Sequence, residues 1–169
     1  MSNKKILNAK EVEFNNIKFR SKLERYCYRK LLNSGLEFSY EEETFILWEG
    51  FRPTITVINN FYSKGKRQKK RFTSYENPIE NDLYIDASKF TNITYTPDFI
   101  INHNGYKIIL EAKGNPNDVY PYKKKLFLKT LEDYEDKDRI IFAEIRNQTQ
   151  IDHFINYIKD LNYELDRQD

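Results

Sequence analysis

The chain has one cysteine, one methionine, one tryptophan, two histidines, and only five glycines and five prolines in 169 residues. A lone Cys27 rules out an intrachain disulfide framework, and no Cys/His cluster has zinc-site spacing, so the fold must rest on packing. No segment approaches the roughly 18 consecutive apolar residues of a membrane helix. Met1-Ser2-Asn3-Lys4-Lys5 is not followed by the apolar core of a signal peptide, so the expected setting is the cytoplasm, without a membrane partner. Charge of one sign is also missing: 28 Lys+Arg stand against 26 Asp+Glu, a net +2, which by itself points to no polyanionic partner.

The charge is unevenly distributed. Between Gly50 and Asn92 the basic residues Arg52, Lys64, Lys66, Arg67, Lys69, Lys70, Arg71 and Lys89 outnumber Glu76, Glu80, Asp82 and Asp86. Most of that excess sits in the run 64–71. With Phe61, Tyr62, Phe72 and Tyr75 around it, the run reads either as a phosphate-tracking patch, whose affinity would fall with salt, or as a solvated loop. With aromatics at 15% of the chain, 13 Tyr and 12 Phe among them, there are enough rings to fill a core and to stack on bases.

Length favours one domain. Residues 1–18 read as an arm, 19–163 as the domain with an insertion at about 50–92, and 164–169 as a tail. Leu23, Tyr26, Cys27 and Leu31 recur at helical spacing and Gly35 is a natural stop, which predicts a helix over 21–34. Leu36–Tyr40 and Thr44–Trp48 read as one long or bent strand, with Trp48 and Cys27 in the core. Further helices are predicted over 122–134 and 150–161, with a strand between them over 139–145. The expected class is α/β, a mixed sheet flanked by helices, in the order α-β-β-β-α-β-α with the insertion after the first strand.

The sharpest pattern is Ile93-Thr-Tyr-Thr-Pro-Asp-Phe-Ile-Ile101, His103-Asn104-Gly105, then Tyr106-Lys-Ile-Ile-Leu-Glu-Ala-Lys113. Asn-Gly between β-favouring runs signals a type I′ hairpin, whose central residues need positive φ. Stepping outwards from that turn, His103 faces Tyr106 and, at the far end, Asp98 faces Glu111, with Cβ atoms about 4.5–5.5 Å apart. Lys113 then shares the face of Glu111 and lies opposite Thr96. His103, at the other end, is only a neighbour of the turn. Opposed carboxylates repel unless a proton or a cation offsets them. Mg²⁺ or Mn²⁺ is the economical partner, because hard cations take carboxylate oxygens, waters and phosphate oxygens. The competing reading is a pair of solvent-exposed charges with Lys113 as their ion-pair partner. Ser21-Lys-Leu-Glu24 forms a helix capping box, which accounts for Glu24 without any site. Lys123, Lys124 and Lys125 open the helix after the hairpin, either to meet a DNA backbone or as a solvated face.

Pro97-Asp98 followed by Glu111-Ala112-Lys113 resembles the PD-(D/E)XK nuclease motif. Phe19-Arg-Ser-Lys-Leu-Glu24, Gly35-Leu-Glu-Phe-Ser-Tyr-Glu-Glu42, Tyr95-Thr-Pro-Asp-Phe99 and Glu111-Ala-Lys-Gly114 are similar, in order, to segments of the phage endonuclease I type of Holliday-junction resolvase and related phage nucleases. The resemblance covers residues 19–48 and 93–114. It implies a restriction-endonuclease-like fold and a metal-dependent endodeoxyribonuclease. Asp98, Glu111, Glu24 and the Ala112 carbonyl would hold the metal, and Lys113 would be the motif lysine. It also implies branched DNA as substrate, a homodimer with exchanged segments, and the host cytoplasm as setting. Where these resolvases carry a further acidic residue in the strand after the helix, this chain has Ser39, with Glu41 and Glu42 nearby. A nicking or restriction-type duplex endonuclease, or a non-catalytic DNA-binding protein on the same fold, are the competing readings.

Overall fold

The computed structural model describes residues 11–55, 58–61, 83–85, 89–114 and 119–161. The elements run β1 (Val12–Phe14), β2 (Ile17–Phe19), α1 (Lys22–Ser34), β3 (Phe38–Tyr40), β4 (Phe45–Trp48), β5 (Ile58–Phe61), β6 (Leu83–Ile85), β7 (Ile93–Tyr95), β8 (Phe99–His103), β9 (Tyr106–Ala112), α2 (Tyr120–Leu131), a 3₁₀ turn (Lys137–Arg139), β10 (Ile140–Ile145) and α3 (Gln148–Asp160). The α/β class expected from the sequence is present. The chain divides into two compact units, one drawn from 1–45 and 95–169 and the other comprising Ile46–Thr94.

The first unit is built on a four-stranded mixed sheet in the order β10-β9-β8-β3. Alternation along β8 and β9 sorts their side chains onto two faces. Phe99, Ile101, Ile108, Leu110 and Ala112 join Ile145 of β10 and pack against Cys27 and Leu31 of α1 and Ile151, Phe154, Ile155 and Ile158 of α3. The opposite face carries Glu111 and Phe142 and is covered by α2, whose Phe127 ring lies 4.4 Å from Tyr95, 4.9 Å from Phe45 and 5.9 Å from Phe142. The site residues therefore lie on a sheet clamped between two helical layers.

Helix α1 has the ends its sequence dictates. The Ser21 hydroxyl accepts the Glu24 N–H at 3.1 Å, and Gly35 closes the helix at φ 75°, a conformation that costs glycine little. Helix α3 is capped likewise by Asn147, which accepts the Gln150 N–H at 3.1 Å. Helix α2 starts two residues ahead of the expected 122, at Tyr120 with Pro121 in its first turn, and ends at Leu131.

Three expectations are corrected. The segment read as an arm carries a hairpin over 12–19, turning at Asn15 and Asn16 with φ 51° and 61°. The single strand expected over 36–48 is two strands in different sheets, broken after Tyr40 where Glu41 takes φ 51°. Trp48 is 58% exposed rather than core, because alternation along β4 turns Phe45 inwards and puts Ile46 and Trp48 on the other face. The basic run 64–71 and the tail 164–169 lie outside the described residues.

In the second unit, β4 pairs with β7 and β5 pairs antiparallel with β6. The rings of Phe51 and Phe90 stack at 5.5 Å, and the Phe90 N–H donates to the Phe51 carbonyl at 2.8 Å.

Candidate active site

The turn register is the expected one: His103 pairs with Tyr106 and the ladder runs out to Phe99 and Leu110, with Asn104 at φ 47° and Gly105 at φ 79°. It stops one pair short of Asp98 and Glu111. Pro97 is the physical reason. It has no N–H to give a ladder, and it restricts Thr96, so the run 93–101 is broken into β7 and β8. The β8–β9 register ends at Phe99 and Leu110 and so does not extend to Thr96 and Lys113. The Thr96 hydroxyl is 2.7 Å from that of Thr44, while the Lys113 N–H donates to the Ile145 carbonyl of β10 at 2.8 Å.

Released from the ladder, Asp98 bridges its neighbours. Its Oδ2 accepts the Ala112 N–H at 2.7 Å and its carbonyl accepts the Glu41 N–H at 3.0 Å. Glu111 extends β9 onto the α2 face. There the Tyr95 hydroxyl donates to its Oε2 at 2.8 Å, and the Lys113 ammonium reaches its Oε1 at 3.1 Å. The pairing of Lys113 with Glu111, two residues apart on one strand, follows from strand periodicity.

Glu24 makes one half of the expected capping box. Its backbone N–H takes the Ser21 cap. Its side chain does not close the box on Ser21 but accepts the Arg20 N–H at 2.9 Å and the Tyr40 hydroxyl at 3.2 Å. It is also buried, at 7% exposure, as are Asp98 at 7% and Glu111 at 3%. Carboxylates are almost never buried this deeply without a partner. Burial holds the Asp98 carboxyl well above its ordinary range, with the charges of Glu111 and then Glu24 adding to the effect and Ala112 N–H and Lys113 opposing it. Burial likewise pushes the Cys27 thiol up to about 12, helped by Asp98 and Glu24. Helix α1, strand β9 and the link from β7 to β8 thus bring three acidic groups within electrostatic reach of one another.

The fourth acidic position is not filled by Ser39, which pairs in the sheet with Ile100. Glu41 follows it and lies 2.8 Å from the Arg20 guanidinium.

Lys124 of the expected DNA-binding set is 2.7 Å from Glu144 of β10. Glu144 is a site neighbour that the sequence reading missed. It is aligned with Glu111 in the parallel β9–β10 ladder, and it also meets the Tyr120 hydroxyl at 2.8 Å and the Arg146 guanidinium at 2.6 Å. Burial alone would raise its carboxyl, but hydrogen bonds from Lys124, Tyr120 and Arg146 bring it down to about 2. Unlike Asp98, it is fully compensated by protein cations. The signals for it were the apolar alternation of β10 and the lysines opening α2, but register in a parallel pair joined through a helix cannot be counted out from a turn.

Among the described residues, no three His, Cys, Asp or Glu side chains form a ready-made ligand set. The donor chemistry nevertheless suits a hard divalent cation: three buried carboxylates, one of them destabilised as an anion, beside the backbone at Ala112. No protein-family model, curated protein or solved structure matches the chain.

Proposed function

We propose that this chain is a metal-dependent endonuclease that hydrolyses DNA phosphodiester bonds. The observation that carries the reading is the burial of Glu24 in α1, Glu111 in β9 and Asp98 just ahead of β8, with Asp98 raised by that burial and then by the other two charges, and Lys113 beside them. A structural ion pair has no need of three acids around one lysine, and each uncompensated buried charge costs several kcal/mol, in round terms about 3–5. The likeness of Pro97-Asp98 and Glu111-Ala112-Lys113 to the PD-(D/E)XK motif supports the same chemistry, with a restriction-endonuclease-like topology.

Asp98, Glu111 and Glu24, with the Ala112 carbonyl, would hold Mg²⁺ or Mn²⁺. Such an ion, when bound, makes coordinated water more acidic and draws charge from a phosphoryl oxygen. The residues of the chain do the rest. Tyr95 donates to one oxygen of Glu111 and Lys113 to the other, which fixes the carboxylate plane. The Ala112 N–H fixes one oxygen of Asp98. Lys113 keeps a positive charge where a phosphate approaches, and can orient an attacking water. Lys123 and Lys124, and the run of Lys64, Lys66, Arg67, Lys69, Lys70 and Arg71, would contact the DNA backbone.

Branched DNA is the proposed substrate class, a homodimer the proposed assembly, and the cytoplasm of a phage-infected host the proposed setting. The test is cleavage of a four-way junction beside a linear duplex of the same sequence, in Mg²⁺, by the wild type and by Lys113→Ala and Asp98→Asn. Junction cutting lost in both variants supports the reading. Equal cutting of duplex would move the substrate to ordinary DNA, and no cutting of either DNA, with binding retained throughout, would make the chain a binding protein.

A further inference from the structure

The lysine of the site is not simply an exposed charge. Its ammonium lies 3.1 Å from Glu111 Oε1 and 4.6 Å from the centroid of the Tyr120 ring. A cation within about 6 Å of an aromatic face is attracted by the ring quadrupole, more strongly where water is excluded. Tyr120 is 6% exposed.

The ring is itself held. Its hydroxyl donates to Glu144 Oε2 at 2.8 Å. The same oxygen takes Lys124 at 2.7 Å, and the other takes Arg146 at 2.6 Å. Glu144 stands beside Glu111 in the β9–β10 ladder, so one strand pair anchors the carboxylate that holds the lysine and the carboxylate that holds the ring. Tyr95 ties the two together, bonding to Glu111 and interacting with the Tyr120 hydroxyl. A lysine side chain has many rotamers to lose, and a seat made of one carboxylate and one ring face removes much of that freedom before DNA arrives.

We propose that Tyr120 is a positioning residue for Lys113, seating its ammonium between the aromatic ring and Glu111, with Glu144 holding the ring in place. What Lys113 does from that seat rests on the nuclease reading; where it sits does not.

The test uses the full chain with Tyr120→Phe, which keeps the ring, and Tyr120→Leu and Tyr120→Met, which remove it. On the DNA that the wild type cuts, the two ring-less variants should lose about 3- to 30-fold in kcat, as expected for a cation–π contact, with KM unchanged. Tyr120→Phe should fall between the wild type and the ring-less pair, since the ring survives while its charge-assisted hydrogen bond to Glu144 is lost. Destabilisation alone would not produce that split at a temperature where all variants are folded. In parallel, the Lys113 ε-methylene protons, assigned by their loss in Lys113→Arg, should be ring-shifted upfield in the wild type and Tyr120→Phe and unshifted in the ring-less pair.

A wild type that cuts no DNA would remove the nuclease reading, and the ring shift would then decide the seat alone. A wild type that cuts, with ring-less variants matching its kcat, would overturn the positioning role and leave the nuclease reading intact. Absence of a ring shift in the wild type would overturn the seat whatever the cleavage result.

Discussion

Replacing Asp98 by asparagine should make the metal-free protein more stable, the reverse of what removal of a structural ion pair would do. In the folded chain the Asp98 carboxyl is raised well above its ordinary range by burial, then by Glu111 and Glu24. The folded state therefore holds a proton that the unfolded chain releases. Stability conferred at low pH is lost as the pH climbs from the ordinary carboxylate range towards the folded value, and above that the full penalty remains. Asparagine has no charge to lose and keeps an oxygen to accept the Ala112 N–H. In chelator at pH 8, Asp98→Asn should melt at a higher temperature than the wild type. The gap should narrow as the pH falls to about 4. Saturating Mg²⁺ should reverse the order. At a hundredfold excess over Kd the wild type gains about 2.7 kcal/mol, and Asp98→Asn gains much less. Thermal unfolding at the two pH values, with chelator and with Mg²⁺, reads all of this. A destabilised Asp98→Asn in chelator at pH 8 would refute the argument, as would identical Mg²⁺ shifts in the two proteins.

Glu24→Gln separates the cap from the site. The amide oxygen can still accept the Arg20 N–H and the Tyr40 hydroxyl, and loss of the charge relieves Asp98, so in chelator Tm should not fall. Cleavage should fall beyond the roughly 10- to 100-fold typical of a supporting partner; unchanged cleavage would reduce Glu24 to a cap. Phe127→Ala should cost about 3–5 kcal/mol in urea unfolding, because this fully buried ring packs on Tyr95, Phe45 and Phe142. A loss below about 1 kcal/mol would mean that α2 does not clamp this face.

The parts of the fold set by local chemistry were legible in the sequence. Ser21 and Gly35 bound α1 because capping and left-handed closure depend on residues at the helix ends themselves. The register of β8 on β9 could be counted outwards from Asn104-Gly105, since that turn fixes which residues face each other. The same logic applied to Asn15-Asn16 between Val12–Phe14 and Ile17–Phe19, where two asparagines tolerate positive φ, and would have revealed the first hairpin. Counting failed where a local breaker intervened. Pro97 ends the ladder before Asp98, and Glu41 ends β3 before β4, so each apparent long strand serves two sheets.

The carboxylates and Lys113 were legible as a set because strand periodicity and motif spacing are sequence properties. Their surroundings were not. Tyr95 reaches the site from the end of β7, and Tyr120 and Glu144 across the crossover from β9 through α2 to β10, where side-chain neighbours depend on how a helix packs on a sheet. Trp48 misled for a related reason. A large apolar residue favours burial on average, but its face is set by the alternation of its own strand.

Supercoiled plasmid carrying an extruded cruciform decides whether Asp98, Glu111, Glu24 and Lys113 cut DNA with a divalent ion. The wild type is incubated in Mg²⁺, in Mn²⁺ and in excess chelator, beside Lys113→Ala. Nicked and linear products are expected with either ion, none in chelator, and none from Lys113→Ala while that variant still binds the DNA. Cleavage that persists in chelator, or that survives Lys113→Ala undiminished, would contradict this assignment.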